Sequence, residues 1–403
     1  MFEKLLRTKV FRDPIYGYIE VDYKIISDLI DSREVQRLRR IRQLSGVSMV
    51  FQTAEHSRFT HSLGAYMMAR LACEKIEGMD QVDEYQKVLL QMAALLHDIG
   101  HGPYSHAFED VLGIEHEEMT IKMLLSIDSD VNQILAQYDD NLCYEIANII
   151  GHQGKYPLLE SLISSSLDVD RLDFLTRDAY FTGAVYGQVD YRRILRTMKI
   201  VDNQLYVRTS GVNAVEAYIM SRYHMYFQVY YHPVARSYEY LLENIFRRIV
   251  DLKETGKSLN DASAFFNVLK DKEDVVSYTE LDDAYVNGLI KQYCRSKDPI
   301  LKFLANSFIH RNLYECIDLT DVPSEGFVTK LRARYNSEEL KYFFVESKIS
   351  GAAYFKTKKS DINDIKVLLP NGTVKSLEQY SPIVKGLITS SVRTISRIHY
   401  FNR

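Results

Sequence analysis

Apolar residues recur at helical spacing over most of the first 255 positions, and this period is the strongest signal in the chain. It predicts helices over 24–42, 61–77, 83–97, 104–112, 116–126, 130–137, 141–151, 158–164, 168–180 and 190–198. A long helix over 211–255 is interrupted only by Pro233, where it must bend or break. Two stretches depart from the pattern. FRDPIYGYIEV, within residues 1–22, alternates after an X-Pro turn and reads as a short strand or hairpin arm. KIVDNQLYVRT, within 196–209, reads as a hairpin turning at Asp202-Asn203. HQGKYP (152–157) and TGAVYG (182–187) are loops by their glycine and proline. Residues 256–315 are again helical. Beyond them GFVTKLRARY, LKYFFVES, DIKVLL and TVKSLE look like strands, with a turn at PNG (370–372). The expected fold is mainly α: a helical unit over 1–320 and a small α+β unit over 321–403. No internal repeat or low-complexity segment interrupts either.

Composition narrows the class without naming a function. A chain of 403 residues with 46% hydrophobic and 26% charged positions is globular and long enough for a second, smaller unit. Its formal charge of −4 argues against bulk nucleic-acid binding and leaves local basic segments open. The four cysteines, Cys73, Cys143, Cys294 and Cys316, are scattered and form neither a disulfide framework nor a thiolate zinc site. The N-terminus lacks the apolar region of a signal peptide, and no apolar run reaches the roughly 18 residues of a membrane helix. The expectation is a cytoplasmic protein with no membrane partner.

The candidate chemistry is concentrated. Of 11 histidines, six (His56, His61, His97, His101, His106 and His116) fall between positions 56 and 116. HDIGHGPYSH follows the apolar segment VLLQMAALL directly. At a helix end His97 and Asp98 can converge on one ion. With His61 and one aspartate of LDVDRLDFLTRD they form an N2O2 set suited to Mn, Fe, Ni, Zn or Mg. The dipeptide alone more often marks a helix terminus; its weight comes from the neighbouring histidines. His106 and Glu109 stand three apart, a spacing at which a carboxylate orients an imidazole. Arg222, Tyr226 and Tyr230 stand at i, i+4 and i+8 and share a helix face, as core residues also do.

HSLG, HDIGHGPYSH and DVDRLDF together resemble the HD-domain phosphohydrolases, and among them the deoxynucleoside triphosphate triphosphohydrolases. The resemblance runs from about residue 9 to 250 and does not include the sterile-alpha-motif domain of the mammalian member. It implies metal ligands at His61, His97, Asp98 and Asp170. His106, backed by Glu109, becomes the general acid at the leaving oxygen, and His101 and His116 contact phosphate or support catalysis. Arg58, Arg171 and Arg222 then meet nucleotide, with Phe174 and Tyr226 lining the pocket. Gln43 and Asp178 match positions that bond the 3′-OH, and Tyr230 abuts C2′ of the sugar. The chain departs from the family in having Glu109 for Asp, Arg171 for Lys, Phe174 for Tyr and Tyr226 for His.

REVQRLRRIRQL (33–44) carries five arginines in ten residues, ordinarily a solvated helix face. By the same resemblance Lys9, Val10, Asp31, Gln36, Arg39, Arg193 and Arg311 match a regulatory guanine-nucleotide site between subunits, and hence a homo-oligomer, by analogy a tetramer. Glu315 and Pro233 stand where basic residues belong. The reading is metal-dependent hydrolysis of dNTPs to deoxynucleoside and triphosphate, controlled by guanine nucleotide. The alternatives are an HD phosphohydrolase or 3′ exonuclease acting on another nucleotide, and a non-catalytic nucleotide sensor.

Overall fold

The computed structural model describes residues 2–257, 259, 263–321, 325–350, 365–389 and 394–402. It opens with an antiparallel hairpin, β1 (Lys4–Asp13) and β2 (Gly17–Tyr23), closed between Asp13 and Gly17. Helices then follow: α1 (Lys24–Ile30), α2 (Arg33–Arg37), α3 (Arg58–Lys75), α4 (Glu84–Leu96), α5 (His106–Leu112), α6 (His116–Leu125), α7 (Asp130–Tyr138), α8 (Leu142–Ile150), α9 (Pro157–Ile163), α10 (Val169–Thr182) and α11 (Tyr191–Thr197). A second hairpin, β3 (Met198–Val201) and β4 (Gln204–Arg208), turns at Asp202 and Asn203, both with positive φ. Next come α12 (Val212–Met225), α13 (Pro233–Glu254), α14 (Ser263–Lys270), α15 (Val275–Glu280), α16 (Asp283–Tyr293) and α17 (Pro299–Ile309). The final third comprises β5 (Glu315–Asp318), α18 (Glu325–Arg332), α19 (Ser337–Phe343), β6 (Phe344–Ser350), β7 (Lys366–Leu368), β8 (Val374–Ser376), two short helices at Leu377–Tyr380 and Pro382–Thr389, and β9 (Thr394–Tyr400).

The fold is mainly α with small sheets, as the periodicity predicts. Helix α3 packs between α4 and α10. Side-chain caps set where its two partners begin: Asp83 accepts from the Gln86 amide before α4, and Asp168 from the Arg171 amide before α10. The centre of this three-helix layer is fully buried, including Ala65, Met68, Leu89, Leu95, Leu172 and Leu175.

Several predicted elements differ. The expected helix over 24–42 stops at Ile30, because Ser32 turns the chain and caps a new helix through the Val35 amide. The long helix over 211–255 is broken at Tyr226–Tyr230 by a π-helical turn, ahead of Pro233. GFVTKLRARY, expected as a strand, is mostly helix α18, and LKYFFVES is half helix and half strand. Short apolar runs of this kind satisfy either period, and tertiary packing decides between them.

β7 pairs in parallel with β4, so the chain's end extends the second hairpin into the sheet β3-β4-β7-β8. The expected PNG turn joins β7 to β8, with Gly372 at φ 81°. β9 lies between β5 and β6. All four cysteines are free, and among the described residues no helix is long and apolar enough to cross a membrane.

Candidate metal centre and nucleotide cavity

Helix α4 ends at Leu96, and His97 and Asp98 occupy the turn that follows. α3 contributes His61 and α10 contributes Asp170. Because these helices pack side by side, ligand atoms of His61, His97 and Asp170 fall within 4.8 Å of one another. His61 Nε2 lies 3.0 Å from Asp170 Oδ1 and 3.7 Å from Asp98 Oδ2. His97 Nε2 lies 3.3 Å from Asp98 Oδ1 and 3.5 Å from Asp170 Oδ1.

Both imidazoles are held from behind. His61 Nδ1 bonds Asp173 Oδ2 at 2.8 Å, and His97 Nδ1 bonds the Ala94 carbonyl at 2.8 Å. Each ring therefore turns Nε2 inward, the arrangement typical of a metal-ligating histidine. His97 Nε2 is buried and carries no hydrogen bond. Burial alone would raise the Asp170 carboxyl, but the two imidazoles hold it well below the usual range. Burial opposes protonation of His61, yet its bonds to Asp170 and Asp173 raise it to about 10. Two imidazoles facing two carboxylates, Asp98 buried and Asp170 partly exposed, fit a divalent cation.

The turn carrying this motif is braced by tertiary bonds. Arg37 Nη1 donates to the Ile99 carbonyl, Tyr278 Oη to the Gly100 carbonyl, and the Gly100 amide to Thr120 Oγ1. A Cβ on Gly100 would lie 2.2 Å from the His116 carbonyl oxygen, so glycine here is required by the close approach of α6. Tyr104 and Ser105 have positive φ of 56° and 49°, a strained passage held by bonds from the Tyr104 amide to Asp283 and from Tyr104 Oη to Asn287.

Beside the metal ligands, Glu109 collects three histidines. Its Oε1 is 2.8 Å from His116 Nδ1 and 3.2 Å from His101 Nδ1, and its Oε2 is 3.1 Å from His106 Nδ1. His101 and His116 stack with ring centroids 3.8 Å apart, whereas the His106 side chain is 68% exposed. Burial and then the Arg58 charge push His101 down to about 4, so this ring is neutral at pH 7. The bond to Glu109 raises His106 and keeps it available as a proton donor. Arg58 joins the two groups, donating Nη1 to Asp98 Oδ2 at 2.5 Å and Nε to Ser105 at 2.9 Å.

A cavity of about 500 Å³ opens onto these groups. Gln43, Arg58, Phe174, Asp178, Tyr226 and Tyr230 line it. Tyr230 donates to Asp178 Oδ2 at 2.7 Å, and His56 Nε2 holds the other oxygen at 2.8 Å. The π-helical turn keeps Tyr226 and Tyr230 together on the cavity wall, where a regular helix was expected. Arg171 and Arg222 stand behind that wall. Arg171 bonds Asp168 and the Ser165 carbonyl, and Arg222 is buried against the Tyr226 ring. The sequence reading counted His56 among the clustered histidines and Asp173 within LDVDRLDFLTRD without giving either a role, and passed over Arg177 and also Tyr231, Arg236 and Glu239 of the cavity wall. These last four belong to no motif by type. Only the i+4 spacing of Asp173 and Arg177 on one helix hinted at a pair.

The basic stretch is only partly a solvated face, with Arg33, Arg39 and Arg40 exposed. Arg37 is fully buried, Arg40 pairs with Asp282, and Arg42 pairs with Glu55. Lys9 bonds Asp31 at 2.7 Å, and Gln36 accepts from Arg39, whose guanidinium lies 3.6 Å over the Phe59 ring. Val10 is half exposed. Arg193 and Arg311 bond neighbours of their own, the carbonyls of Ser210 and Met49.

The helical layer, the candidate metal centre and a nucleotide-sized cavity fit a metal-dependent phosphohydrolase. The HD domain family model matches residues 58–178, and that of the HD associated region matches 189–279. The chain is 37% identical to the uncharacterized protein YwfO of Bacillus subtilis, over 98% of this chain and 93% of that one. It is 32% identical to the deoxynucleoside triphosphate triphosphohydrolase SAMHD1 homolog of Dictyostelium discoideum and 26% identical to human SAMHD1. Those alignments cover 83% and 77% of this chain, which spans 63% and 55% of the two relatives. A solved phosphohydrolase from Bacteroides thetaiotaomicron superposes with a TM-score of 0.86 at 25% identity, covering 98% of this chain and all of that one. The chain belongs to the HD-domain phosphohydrolases, and within them it resembles the deoxynucleoside triphosphate triphosphohydrolases.

Proposed function

We propose that this protein hydrolyses deoxynucleoside triphosphates to deoxynucleoside and inorganic triphosphate. One observation carries the reading. The bonded Tyr230–Asp178 pair shares a single cavity with His61, Asp98, Asp170 and Arg58, so sugar-sized and phosphate-sized contacts face each other across nucleotide-sized space. His61, His97, Asp98 and Asp170 would hold a divalent cation, Mn, Fe, Mg, Ni or Zn by donor type. Such an ion supplies Lewis-acid polarisation of a phosphoryl oxygen and a water nucleophile at neutral pH.

The chain's own groups do the rest. Arg58 sets the Asp98 carboxylate and offers positive charge to the α-phosphate. His106, oriented by Glu109, delivers its proton to the departing 5′ oxygen, and neutral His101 with His116 lines the phosphate path. Gln43 and Asp178 receive the 3′-OH, while Tyr230 closes against C2′ and Phe174 and Tyr226 floor the pocket. Arg171 and Arg222 add cationic charge from behind the wall. Residues 1–320 form the catalytic unit in this reading and 321–403 the smaller one.

Lys9, Val10, Asp31, Gln36 and Arg39 lie near one another around the first hairpin and α2, and with Arg193 and Arg311 form the regulatory guanine-nucleotide site of a homo-oligomer. The test is a product assay: Mn²⁺-loaded protein with each dNTP, with and without dGTP, and phosphate products separated by anion exchange. Triphosphate is the expected product. Orthophosphate or pyrophosphate points to an HD phosphohydrolase of other specificity, and tight binding without turnover to a sensor. Asp31→Ala should blunt the response to dGTP; an unchanged activation curve removes the regulatory site.

A further inference from the structure

The bond that orients His61 is the first of a buried series leading out to the N-terminal hairpin. Asp173, fully buried on α10, accepts four hydrogen bonds. Its Oδ2 takes His61 Nδ1 at 2.8 Å and Arg177 Nε at 3.0 Å, and its Oδ1 takes Arg177 Nη2 at 2.9 Å and Tyr16 Oη at 2.6 Å. Four donors saturate the lone pairs of one carboxylate. Arg177, itself fully buried, gives Nη1 to Asp13 Oδ2 at 2.8 Å. Asp13 Oδ1 meanwhile accepts from the amides of Ile15 and Tyr16, the Asx turn that aims Tyr16 inward. The assembly is packed against α3 with no slack. A Cβ on Gly64, three residues after His61, would lie 1.9 Å from Asp173 Oδ1 and 2.3 Å from Arg177 Nη2.

We infer that Tyr16 and Asp13, at the turn of the first hairpin, are positioning residues of the metal centre, acting through Asp173 and Arg177 to hold the His61 imidazole with Nε2 toward the cation. The inference rests on the proposed His61–His97–Asp98–Asp170 centre. The charges agree with it. Two carboxylates and one guanidinium leave a single net negative charge behind His61, which favours a cation in front of it, and the Tyr16 hydroxyl completes the hydrogen bonding of Asp173 without adding charge. The first 23 residues therefore contribute to the centre although none of them touches the ion.

The experiment uses the full chain, stripped with chelator and titrated with Co²⁺ against a chromophoric competitor, with the visible Co²⁺ spectrum recorded at saturation. Tyr16→Phe is expected to weaken Co²⁺ binding about 10–100-fold and to alter the ligand-field bands, with far-UV circular dichroism unchanged. Asp13→Asn, which keeps the oxygen of the turn but loses the charge facing Arg177, should act in the same direction. Tyr23→Phe removes a hydroxyl from the same hairpin that bonds Glu84 instead, and should bind Co²⁺ as the parent does. A Tyr16→Phe protein with parental affinity and spectrum overturns the inference, as does equal weakening by Tyr23→Phe. Asp170→Ala separates the two levels. If it loses the ion while Tyr16→Phe keeps it, the centre stands and the inference falls; a parent chain that takes up no Co²⁺ removes both.

Discussion

Glu109 is a single carboxylate shared by three imidazoles, and its bond to His106 raises the pKa of that ring. Burial would raise its own pKa, but the three histidines hold it well below the carboxylate range, so it is ionised throughout the working pH. Its bond to His106 raises that imidazole, and a general acid with a raised pKa stays protonated to higher pH. Glu109→Gln removes the charge and so lowers the His106 pKa. The alkaline limb of the pH–rate profile should move to lower pH, and kcat at pH 8 should fall about 10²-fold. Rate measurements from pH 5 to 9 would show this, and an unmoved limb would take His106 out of the acid role. Gly100 is sensitive for a different reason. The atoms its Cβ would meet are the backbone of His116 and Thr120, which cannot swing away. Gly100→Ala should cost about 1–3 kcal/mol, seen as a lowered midpoint in urea, and should pull His97 and His116 out of place together.

Among the elements, the π-helical turn Tyr226–Tyr230 lies furthest from expectation and lines the candidate cavity. Periodicity placed Tyr226 and Tyr230 on one face of a continuous helix. The structure keeps them on the cavity wall but widens the turn, and Tyr230 thereby reaches Asp178. Deleting the exposed Gln228 should restore α-helical pitch, rotating Tyr230 about 100° away from Asp178. The expected result is a folded protein with KM for dNTPs raised at least tenfold and weaker discrimination against ribonucleotides, read from kcat/KM with dATP and ATP. Retained discrimination would separate sugar selection from Tyr230. The same scale shows what the sequence conceals. Helix starts were legible at Asp83 and Asp168, which cap them, but not at Ser32, where one continuous helix was expected. In the final third DIKVLL and TVKSLE contain β7 and β8 as expected, whereas GFVTKLRARY satisfies a helix as readily as a strand and only its neighbours decide.

Over the whole molecule, the end of the chain is tied to the substrate cavity. Arg397 of β9 donates Nη1 to the Tyr231 carbonyl at 2.7 Å, across 166 residues of sequence, and Tyr231 lines the cavity immediately after the π-helical turn. Arg397→Ala should loosen that wall, raising KM several-fold while metal content by atomic emission stays at the parental level. An unchanged KM would confine the final third to a structural role.

The candidate metal ligands and the general class were legible in the sequence because their residue types are chemically irreplaceable: an imidazole or carboxylate suited to a cation has few substitutes, so HSLG, HDIGHGPYSH and DVDRLDF disclose themselves. The helices were legible because burial imposes a period on the chain. The supporting groups were not. Arg177, Tyr16, His56 and the buried Arg37 matter through partners 62 to 244 residues away, and their types are ordinary. Whether an arginine faces water or braces a catalytic loop depends on which distant carbonyl packing brings within about 3 Å, and that is settled only when the helices close on one another.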